Sequence, residues 1–205
     1  MISSLHTQER WSKISFGSAD NMVCFFSASL PTLEFGKPSP ITVAEFDSMA
    51  REYLDEKKCA CLAELNFPVP EHDPEKFVSV HRIWSDMRSF ERVLRLRIAA
   101  IRAEKLEVAE TVAEPEEFFS EIEYILNSAA ICDDPCEREL MIDRVRWAYL
   151  ENMEMGHMLD FDGLCIYRLK LQILEAYRGR TPEEGVPHFE RALEMILSAG
   201  REAKQ

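Results

Sequence analysis

Four short pairs, Asp73-Pro74, Glu114-Pro115, Asp134-Pro135 and Thr181-Pro182, each open an apolar-periodic run, and Gly156, Gly179 and Gly200 each follow one. Asp or Thr before proline starts a helix: its side-chain oxygen accepts an orphan amide hydrogen bond, while proline fills the first helical position without losing a needed donor. A glycine just past the last turn supplies left-handed backbone at low steric cost. Such punctuation restricts the chain to a succession of helices. The expected fold is mostly α: a helical bundle in which one long helix joins an N-terminal part, with one short strand or hairpin, to a C-terminal four-helix lobe.

Residues 1–20 are polar and aperiodic and read as a loose N-terminal extension, with Met22 a candidate native start. Met22-Val23-Cys24-Phe25-Phe26 has the length and aromatic content of one strand, ending before Ser29-Leu30-Pro31 and paired with residues 33–35. After Pro38-Ser39-Pro40, Thr42 and Glu45 have the spacing of a capping box, and Val43, Phe46, Ala50 and Leu54 share one helical face. The charged Asp55-Glu56-Lys57-Lys58 interrupts this face before Cys61, Leu62 and Leu65 resume it, which fits a helix pair or one bent helix.

Over residues 73–107, Phe77, Val80, Trp84, Met87, Leu94, Ile98 and Ile101 alternate three- and four-residue steps, with Glu91 the one charged interruption. One helix of that length extends about 50 Å at about 1.5 Å per residue. The glutamate-rich stretch 107–117 then reads as a solvated connection, dividing an N-terminal part, 21–107, from a C-terminal lobe, 118–200. Within that lobe, Phe118, Ile122, Ile125 and Ala129 mark one helix and Ile142, Val145, Tyr149 and Met153 a second. Leu164, Tyr167, Leu171 and Leu174 mark a third, and Val186, Phe189, Leu193 and Ile196 a fourth.

With 37 acidic against 24 basic residues, the formal net charge of −13 argues against a nucleic-acid partner, because phosphate repels such a surface. The six cysteines lack the spacing of a disulfide framework and no secretory pattern precedes them, so the expectation is reduced thiols in a cytoplasmic protein. No segment approaches the roughly 20 apolar residues that cross a bilayer, and any membrane link is expected to run through partner subunits. Chemistry-bearing motifs are missing as well. Gly36-Lys37 lacks the upstream glycine of a phosphate-binding loop. Cys59-Ala60-Cys61 is too tight for structural zinc, and the Cys132, Cys136 pair stands alone. Glu154 and His157 have the Glu-x-x-His spacing of a di-metal bundle, but no second copy exists and Gly156 falls between them. Ser27 and Ser29 have no glycine-flanked elbow. Neither a catalytic residue nor a cofactor is expected.

The charge anomaly is the basic stripe Arg88, Arg92, Arg95, Arg97, Arg102 and Lys105, opposed within the same helix by Asp86, Glu91 and Glu104. Arg88, Arg92 and Arg95 recur at three-four spacing and so share a face, as docking to an acidic partner requires. Arg88, Arg92, Arg95 and Arg102 are therefore the candidate partner-binding residues. Pairing with the chain's own surplus carboxylates is the alternative.

The block at 24–35, Cys-Phe-Phe-Ser-Ala-Ser-Leu-Pro-Thr-Leu-Glu-Phe, followed by Pro38, Pro40 and Thr42-Val43-Ala44-Glu45-Phe46, resembles the opening of an uncharacterised bacterial family associated with vacuolar-type ATPase subunits. Ile142-Asp143-Arg144-Val145-Arg146-Trp147-Ala148-Tyr149-Leu150 and Ile166-Tyr167-Arg168-Leu169-Lys170-Leu171-Gln172-Ile173-Leu174 look like that family's later helices, so the resemblance covers most of residues 22–199. It implies a non-catalytic protein working with the subunits of a rotary, proton- or sodium-translocating ATPase. Phe90-Glu91-Arg92-Val93-Leu94-Arg95-Leu96-Arg97 and the Ile142-Asp143 helix opening are more faintly similar to the all-helical component that couples the central stalk to the membrane ring in archaeal and vacuolar-type (V/A-type) enzymes. This chain is shorter than that component's three-lobed funnel, so the implied role is accessory, stalk-like or in assembly. A free-standing acidic helical adaptor is the alternative, and a metal-dependent enzyme built on Glu154 and His157 a weaker one.

Overall fold

The computed structural model describes residues 19–67, 82–105 and 134–178, together with 107, 115, 117–120, 122, 123, 125, 126, 132, 191 and 195. Helices α1 (Ala19–Ser29), α2 (Val43–Tyr53), α3 (Glu56–Glu64), α4 (Arg82–Lys105), α5 (Pro135–Glu154) and α6 (Phe161–Arg178) follow in chain order. Residues 120, 122, 123, 125 and 126 are also helical, as are 191 and 195. Among the described residues there is no strand, and the architecture is the mostly α bundle that the punctuation requires. Asp73-Pro74, Thr181-Pro182, Gly179, Gly200, the extension over 1–18 and the rest of the helix expected at 186–196 lie outside the described residues.

Local capping chemistry sets the visible ends. Thr42 Oγ1 accepts from the Glu45 amide at 3.1 Å while the Glu45 carboxylate accepts from the Thr42 amide at 2.7 Å, a complete capping box for α2. Leu54 ends that helix, and the Asp55 side chain accepts from the Lys58 amide at 2.9 Å to start α3, so the charged interruption separates a helix pair. Asp134 caps α5 through the Cys136 amide at 2.8 Å with Pro135 in the first turn.

The strand expected at Met22 to Phe26 is instead the middle of α1. A short apolar run does not reveal its own period. Val23 and Phe26, three apart, are buried, whereas Phe25 is 53% exposed, which is one face of a helix. Phe26 then packs on Phe46 and Tyr53 of α2, with ring centroids 5.4 and 5.3 Å away. A second correction is one of phase. Phe118, expected to face the core, is 77% exposed, and Phe119 instead stands edge-on to Phe90 and Tyr149 at 5.3 and 5.5 Å.

The centre of the bundle is α6, apolar and polar positions alike being buried from Gly163 to Lys170 except the half-buried Tyr167. A helix buried on all sides must satisfy every polar side chain it carries. Arg168 grips Asp47 of α2 through two bonds, 2.8 and 2.9 Å, and donates to the Leu65 carbonyl at the end of α3. Gln172 donates to that carbonyl at 2.6 Å and accepts from the Phe67 amide at 2.7 Å. Glu175 accepts from the Val43 amide at the start of α2 at 2.7 Å, and the Tyr167 hydroxyl donates to the Pro31 carbonyl at 2.8 Å. Buried side chains from both sides of the acidic connection, Phe26, Phe46 and Leu62 on one and Val145, Leu164 and Leu169 on the other, share one core.

Between α5 and α6 the chain turns at Gly156, whose φ of +93° suits glycine. Asp160 then caps α6: its carboxylate accepts from the Gly163 amide at 2.9 Å and from His157 Nδ1 at 2.7 Å. Partial burial works against its charge, but these two bonds outweigh burial and hold the carboxyl below its ordinary range. A carboxyl lowered on folding stabilises the fold above its unfolded pKa, and that contribution is lost as pH falls through its folded value. Asp160→Ala is therefore expected to cost about 1 kcal/mol at neutral pH, the usual size of a lost cap. Its deficit relative to the parent should shrink below about pH 4, where unfolded aspartate takes up its proton. Urea titrations at both pH values check this.

Candidate functional site

Helices α4 and α5 run antiparallel, and two side-chain contacts join them partway along their lengths. Phe90 stacks on Tyr149 with centroids 4.1 Å apart, and Glu91 receives two bonds from Arg146, Nε to Oε1 at 2.6 Å and Nη2 to Oε2 at 3.1 Å. Arg146 Nη1 also donates to Asp143 at 2.8 Å. Burial opposes the guanidinium's charge, but the bonds and charges of Glu91 and Asp143 outweigh it and raise its pKa, so Arg146 is a fixed cation.

Beyond that staple the two helices separate into a groove of about 580 Å³. Its apolar wall is Leu96, Ile98 and Ala99 from α4 and Ile142 from α5, and its charged lining residues are Arg95, Arg102, Arg146 and Glu139. A smaller hollow of about 140 Å³ continues it, sharing Ile98, Arg102 and Ile142 and adding Lys105 and Arg138. Arg138 is oriented by a 2.7 Å bond from Nη2 to the Cys132 carbonyl. Steps of three or four residues, 95, 98, 102 and 105 on α4 and 138, 142 and 146 on α5, bring these side chains onto the facing surfaces. In a chain of net charge −13 this is a local concentration of cations around an apolar floor.

Of the four arginines singled out by spacing, the structure brings Arg95 and Arg102 to the groove and places Arg88 and Arg92 outside its lining. Arg92 lies on the surface 4.0 Å from Glu117, and Arg88 is half-buried with an interaction of its own. Arg97, also on the stripe, forks onto Glu123 with two 2.5 Å bonds. Sequence reasoning misses the contribution of α5. Arg138, Ile142 and Arg146 at four-residue steps are the signal that could have supplied it.

A second hollow, about 430 Å³, lies between the end of α1, residues 30–33 and the α5–α6 turn, with Glu151, Glu154, Tyr167 and Lys170 in its wall. Its charges are committed within the fold: Lys170, almost fully buried, donates to Glu154 and sits 5.1 Å over the Trp147 ring. Glu154 and His157 therefore do not converge, since His157 turns to Asp160. Among the described residues no group of three or more His, Cys, Asp or Glu side chains is placed to hold a metal ion, and no helix is long and apolar enough to cross a membrane. The chain matches no protein-family model, no curated protein and no solved structure.

Proposed function

We propose that this chain is a non-catalytic accessory, stalk-like or assembly subunit of a V/A-type rotary ATPase, acting by protein–protein contact through the α4–α5 groove. The observation that carries the contact reading is the groove itself, with Ile98 and Ile142 forming its floor and Arg95 and Arg102 standing beside them. Such a surface suits an acidic amphipathic segment: an apolar side chain enters the floor while carboxylates meet the arginines, which supply orientation and association rate. The choice of an ATPase subunit as partner rests on the residue blocks at 24–46, 142–150 and 166–174.

Affinity purification of the tagged chain from its native cells tests both parts. ATPase subunits are expected to co-purify with the parent. The Arg95→Glu/Arg102→Glu pair should lower their recovery about tenfold, equivalent to about 1.4 kcal/mol, while helicity is retained. Raising the salt concentration should weaken the parent complex in the same direction, because rim charges are screened. Unchanged recovery after charge reversal removes the groove as the contact. Loss of a partner that is not an ATPase subunit would instead favour the free-standing acidic adaptor.

A further inference from the structure

On the side away from the Phe90–Tyr149 stack, the α4–α5 groove continues into the hollow of about 140 Å³, which three elements wall: α4, α5 and, through Leu126, the helical residues between them. Ile98, Ile101, Leu126 and Ile142 make its floor, the last two almost fully buried. Arg102, Lys105 and Arg138 stand around that floor, and no acidic side chain is among its lining residues; Glu139 belongs to the wider groove. The 2.7 Å bond from Arg138 Nη2 to the Cys132 carbonyl fixes one of these cations in place. Positive charge gathered beside aliphatic side chains, in a chain of net charge −13, is an arrangement that an amphipathic anion completes.

We propose that this hollow is a small-molecule site for a monocarboxylic acid whose apolar body is the size of one benzene ring. Volume sets the body: an apolar cavity of roughly 150 Å³ holds benzene, so one ring, or an aliphatic group of similar bulk, fills the hollow and brings a single head group to its rim. Charge sets the head group. A guanidinium meets a carboxylate through two parallel N–H···O bonds, a geometry that Arg102 and Arg138 both offer. Neither part of the ligand suffices alone. A neutral ring gains the floor and nothing from the cations, and a small anion meets the cations in water, where such contacts are worth little. Joined, the ring displaces water from the floor and the carboxylate is held where screening is weaker. The site shares Ile98, Arg102 and Ile142 with the surface assigned above to a protein partner, so a bound acid occupies part of what a partner's apolar side chain would enter. It rests on the lining of the hollow and not on which protein docks alongside.

Titration of the purified full chain with phenylpropionate at neutral pH, followed by nuclear magnetic resonance of labelled isoleucine methyl groups, provides the test. The methyls of Ile98, Ile101 and Ile142 should move together with a Kd of about 1 mM or below, the range for a ligand of this size. Phenylpropanol and phenylpropylamine should bind at least about tenfold more weakly, and acetate should leave these methyls in place. Arg102→Gln/Arg138→Gln should weaken binding of the acid about tenfold and leave that of the alcohol unchanged, with thermal melting showing that the fold is retained. Arg102 is exposed, so Arg102→Gln alone supplies the same comparison if the pair lowers stability. Methyls unmoved at about ten times the expected Kd, an alcohol or amine that binds as tightly as the acid, or an affinity for the acid that survives loss of the arginines, overturns the proposal. No partner protein is present in this titration, so its failure and a failure to recover ATPase subunits with the tagged chain are separate results.

Discussion

Replacing Arg146 with alanine is expected to lower the unfolding free energy by about 3–5 kcal/mol, the cost of leaving buried charge without its counterion. Glu91 is 1% exposed and Asp143 3%, and the guanidinium between them supplies three of the bonds that make their burial tolerable. Alanine removes all three together and leaves two like charges near each other in a medium of low dielectric. Urea denaturation followed by circular dichroism reads the loss as a lower midpoint with little change in slope. The companion variant Glu91→Met/Asp143→Leu/Arg146→Leu separates missing compensation from missing volume. It should return to within about 2 kcal/mol of the parent, because apolar residues of similar size commonly replace buried ion groups at little cost. If Arg146→Ala alone stayed within about 1 kcal/mol of the parent, water would have to be reaching both carboxylates, and the staple between α4 and α5 would be dispensable.

The same triad shows where sequence reasoning stops. Glu91 breaks the apolar spacing of α4 and reads as an interruption, because its partner lies 55 positions away and no local rule connects them. Features settled within one turn are legible: the Thr42–Glu45 box, the Asp134-Pro135 start and the left-handed Gly156 all depend on neighbouring residues. Period is less secure over short distances. Met22 to Phe26 is apolar throughout, so only docking against Phe46 and Tyr53 makes it helical, and the choice between Phe118 and Phe119 falls to the ring that reaches Phe90.

The groove is half legible for the same reason. Arg95 and Arg102 stand out in an acidic chain as a stripe on one helix, but the surface facing them exists only after α5 has folded back antiparallel. Spacing alone groups Arg88 and Arg92 with Arg95, whereas the groove draws Arg138 and Arg146 from the other helix. Charge pattern thus reports that a cationic surface is present. Tertiary pairing decides which cations share it.

Gly163→Ala should be nearly as damaging as the loss of Arg146, and by a mechanism of a different kind. Glycine within a helix is ordinarily a liability, and alanine there would gain up to about 1 kcal/mol from propensity. At this position an added Cβ would stand 1.9 Å from the His157 carbonyl oxygen and 3.1 Å from its carbon. Both are backbone atoms, held by the bond from the His157 amide to the Glu154 carbonyl at 2.9 Å, so no side-chain rotation relieves the overlap. Relief requires moving the turn away from the start of α6, which pulls on the Asp160 cap and on the approach of Lys170 to Glu154. A net loss of roughly 3 kcal/mol is expected, at the upper end for overpacking because the obstacle is rigid. Gly156→Ala is the control, since it adds a methyl group into open space and strains only a left-handed φ, at about 1–2 kcal/mol. If thermal melting ranked Gly156→Ala as the more damaging, the α5–α6 turn would have to yield freely, and the close approach of its backbone to α6 could not be what seats the central helix.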